Sequence, residues 1–345
     1  MNSRPRRFAL CAIFILLSSL LSADDRFPAT LPDTRPLALD RPLHEVMVEG
    51  LNRFAERELA ASRDRRAEKW HRDYSSHEAY AKSIAENRDR FRTIIGAVDE
   101  RVRTPRTLVL SDPLPFPWDS KHPLIQFAIA TPVSWDVLDG VTAEGWELDL
   151  KDLRAPTAAW VILLPDAGQT PEMLAGLQEG LPSQSQLGRR LLDHDCHVLV
   201  PTLINRDDTY SGHPDIRDTN QPHREFLYRM AFEMGRHVIG YEVQKVLAAV
   251  DVFERRNEEN QRDVPIAVIG IGEGGLIAFH AAAIDPRIDA AWVCGYFNER
   301  ENVWQEPIYR NVWSLLTEFG DAEIAGMVAP RHLIIEACAA PEVDG

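Results

Sequence analysis

Cysteine is scarce in this chain of 345 residues, with four in all: Cys11, Cys196, Cys294 and Cys338. So few thiols exclude a disulfide-dense small scaffold and a cysteine-rich zinc module. Positive charge is short too. The 38 Lys and Arg face 53 Asp and Glu, for a net charge of −15 and a pI near 5.2. That balance excludes a nucleic-acid partner, because phosphate neutralisation needs clustered Lys and Arg. The apolar run at 8–21 falls short of the roughly twenty residues that span a bilayer. Internal repeats and low-complexity tracts are missing as well, which excludes solenoids and fibrous arrays.

What is present suits a folded, acidic protein with a large core. Hydrophobic residues make up 45% of the chain, with 8 Trp and 13 Phe. The length allows one large domain or two smaller ones, at roughly 100–200 residues each. Arg4, Arg6 and Arg7 precede the apolar run, and Ser22-Ala23 stands just before Asp24-Asp25. This is the order of an export signal, with cleavage expected after Ala23 and no stable membrane span left afterwards. Leu21 is large for its place before the cut, so retention as an N-terminal anchor is the alternative. Cys11 lies too early in the run for lipid attachment. Three cysteines then remain, and an odd number rules out complete pairing. Each borders an apolar run and reads as a buried, inert thiol. Cys294 with Cys338 is the one pairing worth testing, as ends of neighbouring strands.

The chain divides into a signal at 1–23, a leader and helical segment at 24–105, and an α/β domain at 106–345. Residues 24–40 are rich in Pro, Asp and Arg and read as extended. Helical periodicity runs from 43 to 102, with Leu51, Phe54, Ala55 and Leu59 on one face, then Tyr80, Ile84 and Phe91. It predicts helices packed on a larger body, with the charges at 63–66 on a solvated face. Strands follow: an antiparallel pair at 124–131 and 145–150, then continuous apolar runs at 158–164, 196–200, 264–269, 290–294 and 332–336. Such runs suit strands buried on both faces of a parallel sheet. Helices are predicted between them at 187–192, 226–235, 240–256 and 276–284. The alternation defines an open α/β fold.

One turn carries most of the functional information. The strand at 264–269 runs into Gly270-Ile271-Gly272-Glu273-Gly274-Gly275 and then a small-residue helix. In a G-x-S-x-G nucleophile elbow, the serine sits on a strained strand-to-helix turn and the next backbone N–H helps form the oxyanion hole. Aligned on Gly270 and Gly274, the serine's place is Gly272. Two other readings compete. Gly270, Gly272 and Gly275 also have the spacing of a dinucleotide fingerprint. That motif belongs after a first strand with an acidic residue about twenty positions on, at the end of the next strand. Here several strands come first, and Asp289 opens the next strand. Alternatively Glu273 is the nucleophile, which shifts the register by one and puts Ile271 and Gly275 at the glycine positions.

From about 85 to 340 the chain resembles the acetyl-xylan-esterase-like and dienelactone-hydrolase-like branch of the α/β-hydrolases. The matching pieces are 165–174, the 235–240 helix turn, the elbow, Ala282-Ala283-Ile284-Asp285-Pro286-Arg287-Ile288, and 315–336 with Gly320-Asp321 and Ala329-Pro330-Arg331. The resemblance implies a mostly parallel eight-stranded sheet flanked by helices and hydrolysis of carboxylic esters, often on carbohydrates. The family's catalytic residues do not carry over. Gly272 stands for the serine, and Pro165-Asp166 stands for the histidine–glycine pair of the oxyanion loop. Glu342 or Asp344 are offered for the acid, without the family's spacing. His332 is the last histidine, and the chain stops at Gly345, ahead of the family's final strand and helix.

The expectation is therefore a catalytically degenerate ester-hydrolase relative, with a cleft near Asp166, Gly168, Gly272, Glu273 and Gly274. A small ester or carbohydrate is the implied ligand, with no cofactor and no metal. An active hydrolase using Glu273 or Asp166, or an incomplete piece of a larger hydrolase, are the alternatives. Asp207, Asp208, His213, Asp215, Asp218 and His223 crowd one loop, where Ca²⁺ or Zn²⁺ is conceivable, but the spacing fits no compact ligand motif. The loop reads as a solvated cap. His237 and His280 read as structural histidines on apolar helices.

Overall fold

In the computed structural model the described residues are 32–35, 38–115, 128–150, 157–215, 219–339 and 343. The signal segment, the first part of the expected strand at 124–131, Asp218, Glu342 and Asp344 lie outside them. The chain forms two compact units, Met1–Arg57 and Glu58–Gly345.

The first unit contains most of helix α1 (Leu43–Arg66). Arg41 and Arg53 both hold Glu49, the latter one helical turn away. Leu43, Met47, Val48, Leu51 and Phe54 are exposed. Within this unit Leu51, Phe54 and Ala55 lie on the helix as the periodicity predicts.

The second unit is a nine-stranded sheet with helices on both faces. Its strands are β1 (Thr107–Val109), β2 (Leu114–Pro115), β3 (Ala128–Leu138), β4 (Val141–Leu150), β5 (Ala159–Leu164), β6 (Cys196–Pro201), β7 (Ile266–Ile271), β8 (Ala290–Cys294) and β9 (His332–Glu336). The order is β1-β3-β4-β6-β5-β7-β8-β9, with β2 also on β3. β3 and β4 form an antiparallel pair, and β4 meets β6 antiparallel. From β6 through β5, β7 and β8 to β9 all pairing is parallel.

Side-chain alternation assigns the two faces. On β5, Ile162 and Leu164 enter one apolar core while Val161 and Leu163 enter the other. The larger core holds α2 (His77–Ser83), α3 (Ala85–Ile94), α7 (Val238–Asn260), α8 (Glu273–Ile284) and α9 (Asp321–Val328). Val243, Val246, Leu247, Val250 and Phe253 recur at helical spacing on α7 and are buried. Tyr80, Ile84 and Phe91 are buried as the pattern predicts. The smaller core receives α4 (Pro171–Ala175) and α5 (Leu187–Leu192). A further helix, α6 (His223–Phe232), precedes α7. Covering both faces explains the continuous apolar strands, and it brings the carboxyl ends of β5, β6 and β7 to one edge, where open α/β sheets place their sites.

Candidate functional site

The elbow is built as the sequence predicts. A Cβ on Gly270 would lie 2.0 Å from the Gly274 carbonyl oxygen, and one on Gly274 would lie 2.4 Å from the Leu164 and Pro165 oxygens. Only glycine allows strand and helix to approach this closely. Gly272 stands at the apex with φ 55° and ψ −116°, a conformation L side chains rarely adopt. Its N–H donates to the Cys294 carbonyl at 3.0 Å, and α8 begins at the next residue.

A carboxylate stands beside the turn. The Glu273 N–H, the first amide of α8, donates to the Asp166 Oδ1 at 3.0 Å. Asp166 Oδ2 also accepts from the Gly168 N–H at 2.9 Å. Arg206 closes on the same carboxylate as a fork, Nη1 to Oδ2 at 2.6 Å and Nη2 to Oδ1 at 3.0 Å. The Asp166 carboxylate thus accepts from two backbone amides and one guanidinium. Burial works against that charge, but Arg206 and the two amides outweigh it and hold the Asp166 carboxyl below its ordinary range.

Glu273 is fully buried and also paired. Arg310 Nε donates to its Oε1, Arg224 Nη2 lies 3.5 Å from its Oε2, and Arg206 Nη2 lies 3.7 Å from its Oε1. Arg224 is itself fully buried and reaches Glu242 at 3.3 Å and the Ile204 carbonyl at 2.9 Å. Arg310 continues to Glu306 at 3.0 Å, and Arg300 links Glu306 to Asp321. Arg206 Nε donates to the Tyr309 hydroxyl at 3.1 Å. Gly272 is buried, as are Gly274, Glu273 and Asp166. Of the five residues expected to line a cleft, only Gly168 is exposed.

Neither carboxylate is presented as a nucleophile, since each is held by arginines and lacks access to solvent. A nucleotide reading fails for a related reason, because a phosphate at the α8 N-terminus would meet two carboxylates. His332 begins β9 in register with Ala290, at the amino ends of the parallel strands and therefore away from the elbow. His237 caps α7, its Nδ1 accepting from the Ile239 N–H, and its Nε2 lies 3.1 Å from the Asn311 carbonyl. Burial lowers its pKa to about 4. His280 bonds the Leu276 carbonyl at 2.8 Å, and burial lowers it to about 3. Both are structural, as predicted.

In the acidic loop, Asp207, Asp208, His213 and Asp215 are exposed, and several of their bonds stay within the loop. Asn205 donates to Asp207 and the Asp215 N–H donates to His213 Nδ1. His223 accepts from the Tyr210 N–H. Among the described residues, the ligand atoms that converge are those of Cys294, Glu336 and Cys338.

Arg206, Arg224, Arg310 and Tyr309 were not picked out by sequence reasoning. No motif marks them. The available signal was indirect: two acidic residues, Asp166 and Glu273, at a buried elbow require cations nearby.

No protein-family model matches the chain, and no curated protein does. Solved structures do. A candidate acetyl xylan esterase of Bacteroides fragilis aligns over 86% of this chain and 75% of its own, at 13% identity and a TM-score of 0.55. A glucuronoyl esterase from Solibacter usitatus aligns over 74% of each chain at 16% identity, with a TM-score of 0.45. An acetyl xylan esterase from Paenibacillus sp. R4 covers 83% of this chain and 94% of its own, at 13% identity and a TM-score of 0.45. The first of these, together with the strand order and the elbow, establishes the architecture: the chain has the α/β-hydrolase fold.

Proposed function

We propose that this chain is an exported α/β-hydrolase-fold protein that no longer hydrolyses esters. The observation that carries the reading is the Asp166 carboxylate on the Glu273 N–H, directly beside a glycine in the nucleophile's place. Ester hydrolysis requires an attacking group, a base to take its proton, and free donors for the oxyanion. Gly272 supplies no hydroxyl, His332 lies at the wrong end of the sheet, and the donor is engaged. Residual binding alone does not replace a lost triad. Export rests on the basic and apolar N-terminal segment. The retained ligand is a small ester or carbohydrate, met at the margin of exposed Gly168 and half-buried Arg206 and not at the buried apex.

Short-chain aryl esters and acetylated xylan should show no turnover above background with the full chain. Gly272→Ser should stay inactive too, because the donor remains occupied and no base is within reach. Turnover by the unmodified protein that disappears in Glu273→Gln would overturn the reading. Titration with acetylated xylo-oligosaccharides checks the ligand, whose binding should weaken in Arg206→Ala.

A further inference from the structure

Two thiols stand together at the far end of the sheet from β1, on the same edge as the elbow. Cys294 is the last residue of β8, in register with Glu336, the last residue of β9. Two positions on, the chain turns back, with the Cys338 N–H donating to the Glu336 carbonyl at 2.9 Å. This places Cys338 Sγ 3.1 Å from Cys294 Sγ. Cys338 is exposed and Cys294 half-buried, so a solution oxidant reaches the pair. Cys196 is separate, with its Sγ 3.7 Å from the His194 carbonyl. The buried, inert thiols expected from the sequence do not describe this pair, and Cys196 is only half-buried.

We propose that Cys294 and Cys338 are a redox site, forming a disulfide that fastens the chain beyond β9 to the end of β8. Their separation is about 1 Å more than the ~2.05 Å of a disulfide bond. A zinc ion would have to push the same atoms apart. Two Zn–S bonds of ~2.3 Å at a tetrahedral angle set sulfurs about 3.8 Å from each other. Among the described residues, Glu336 is the one further ligand in the cluster, and its Oε2 already accepts from Trp292 Nε1 at 3.2 Å.

The chemistry is thiol–disulfide exchange with a small disulfide such as oxidised glutathione. The Cys338 thiolate attacks one glutathione sulfur, forming a mixed disulfide and releasing one glutathione thiolate. Cys294 then loses its proton to solvent, its thiolate attacks the Cys338 sulfur, and the second glutathione thiolate leaves. Both released thiolates take up protons, so two protein thiols are oxidised and one glutathione disulfide is reduced. The order follows from exposure. Burial, and the neighbouring Cys338 and Glu336, push the Cys294 thiol up to about 12, so Cys338 reacts first.

The full chain would be equilibrated with oxidised glutathione, acid-quenched, alkylated in denaturant and mapped by peptide mass. The expected result is a joined Cys294–Cys338 peptide pair with Cys196 alkylated. Cys294→Ser should instead leave Cys338 carrying glutathione. Oxidation should raise Tm by roughly 5–10 °C, since the link closes a long loop, and dithiothreitol should reverse the rise. Separate alkylation of Cys294 and Cys338 in the unmodified chain would overturn the assignment. So would stoichiometric uptake of Zn²⁺ that blocks oxidation. A bridge that forms without changing Tm would overturn the fastening. None of these readouts involves ester turnover, so the inference stands or falls apart from the elbow.

Discussion

At position 272 the backbone turns through φ 55°, and a side chain there costs about 1–3 kcal/mol. Glycine relieves that strain. The next residue carries a buried charge. Glu273 balances Arg310 and Arg224 inside the protein, where an uncompensated charge is expensive. Glu273→Gln should lower stability by about 3–5 kcal/mol, measured by urea unfolding. Replacing Glu273 together with its nearest partner, as in Glu273→Met with Arg310→Leu, should cost less than Glu273→Gln alone, because Arg310 is then not left unpaired and Arg224 keeps Glu242. A larger loss in the joint variant would show that the ion pair itself holds the site together.

At the scale of elements, the junction of β7 and α8 is the most constrained. Gly270 and Gly274 lie where any Cβ meets backbone atoms, and backbone cannot rotate away as a side chain can. Gly274→Ala should therefore cost more than the roughly 1–3 kcal/mol of ordinary overpacking. Gly50→Ala, at an open position on α1, should be neutral or slightly stabilising. Circular dichroism melts of the two variants check the contrast. β8 and β9 are constrained differently. Ile334 and Ile335 on β9 are exposed, so this edge depends on pairing with β8 and on whatever the thiol pair adds.

Over the whole molecule, buried ionisable groups set the response to acid. His280 and His237 are kept neutral by burial, with pKa values near 3 and 4 against an ordinary 6.5. As pH falls through 6.5, the unfolded chain takes up protons that the folded chain refuses, so stability declines from there down to the folded values. Glu147 adds to this at lower pH. Burial alone would raise it, but His197 and Arg256 bring it to about 2, so its stabilisation is present above 4.5 and is lost as pH drops from 4.5 towards 2. Urea midpoints at pH 7, 5.5 and 4.5 should fall in that order. His280→Leu should flatten the upper part of the slope. A midpoint unchanged between pH 7 and 4.5 in the unmodified protein would contradict the account.

Much of this could be read without coordinates, because it depends on short-range periodicity. The apolar runs at 290–294 and 332–336 coincide with β8 and β9, the helix at 187–192 coincides with α5, and the glycines at 270 and 274 mark the elbow. The sequence also placed Gly272 at the apex of that turn. Tertiary structure alone decided what stands around it. Arg206, Arg224 and Arg310 come from segments distant in the chain, and no local pattern connects them to Asp166 and Glu273. The same holds for Cys294 and Cys338, whose sulfurs meet through strand register. Local spacing fixes which residues share a strand or a helix face. Long-range packing fixes which charges and thiols meet, and here it turned an apparent cleft into a filled ion-pair cluster.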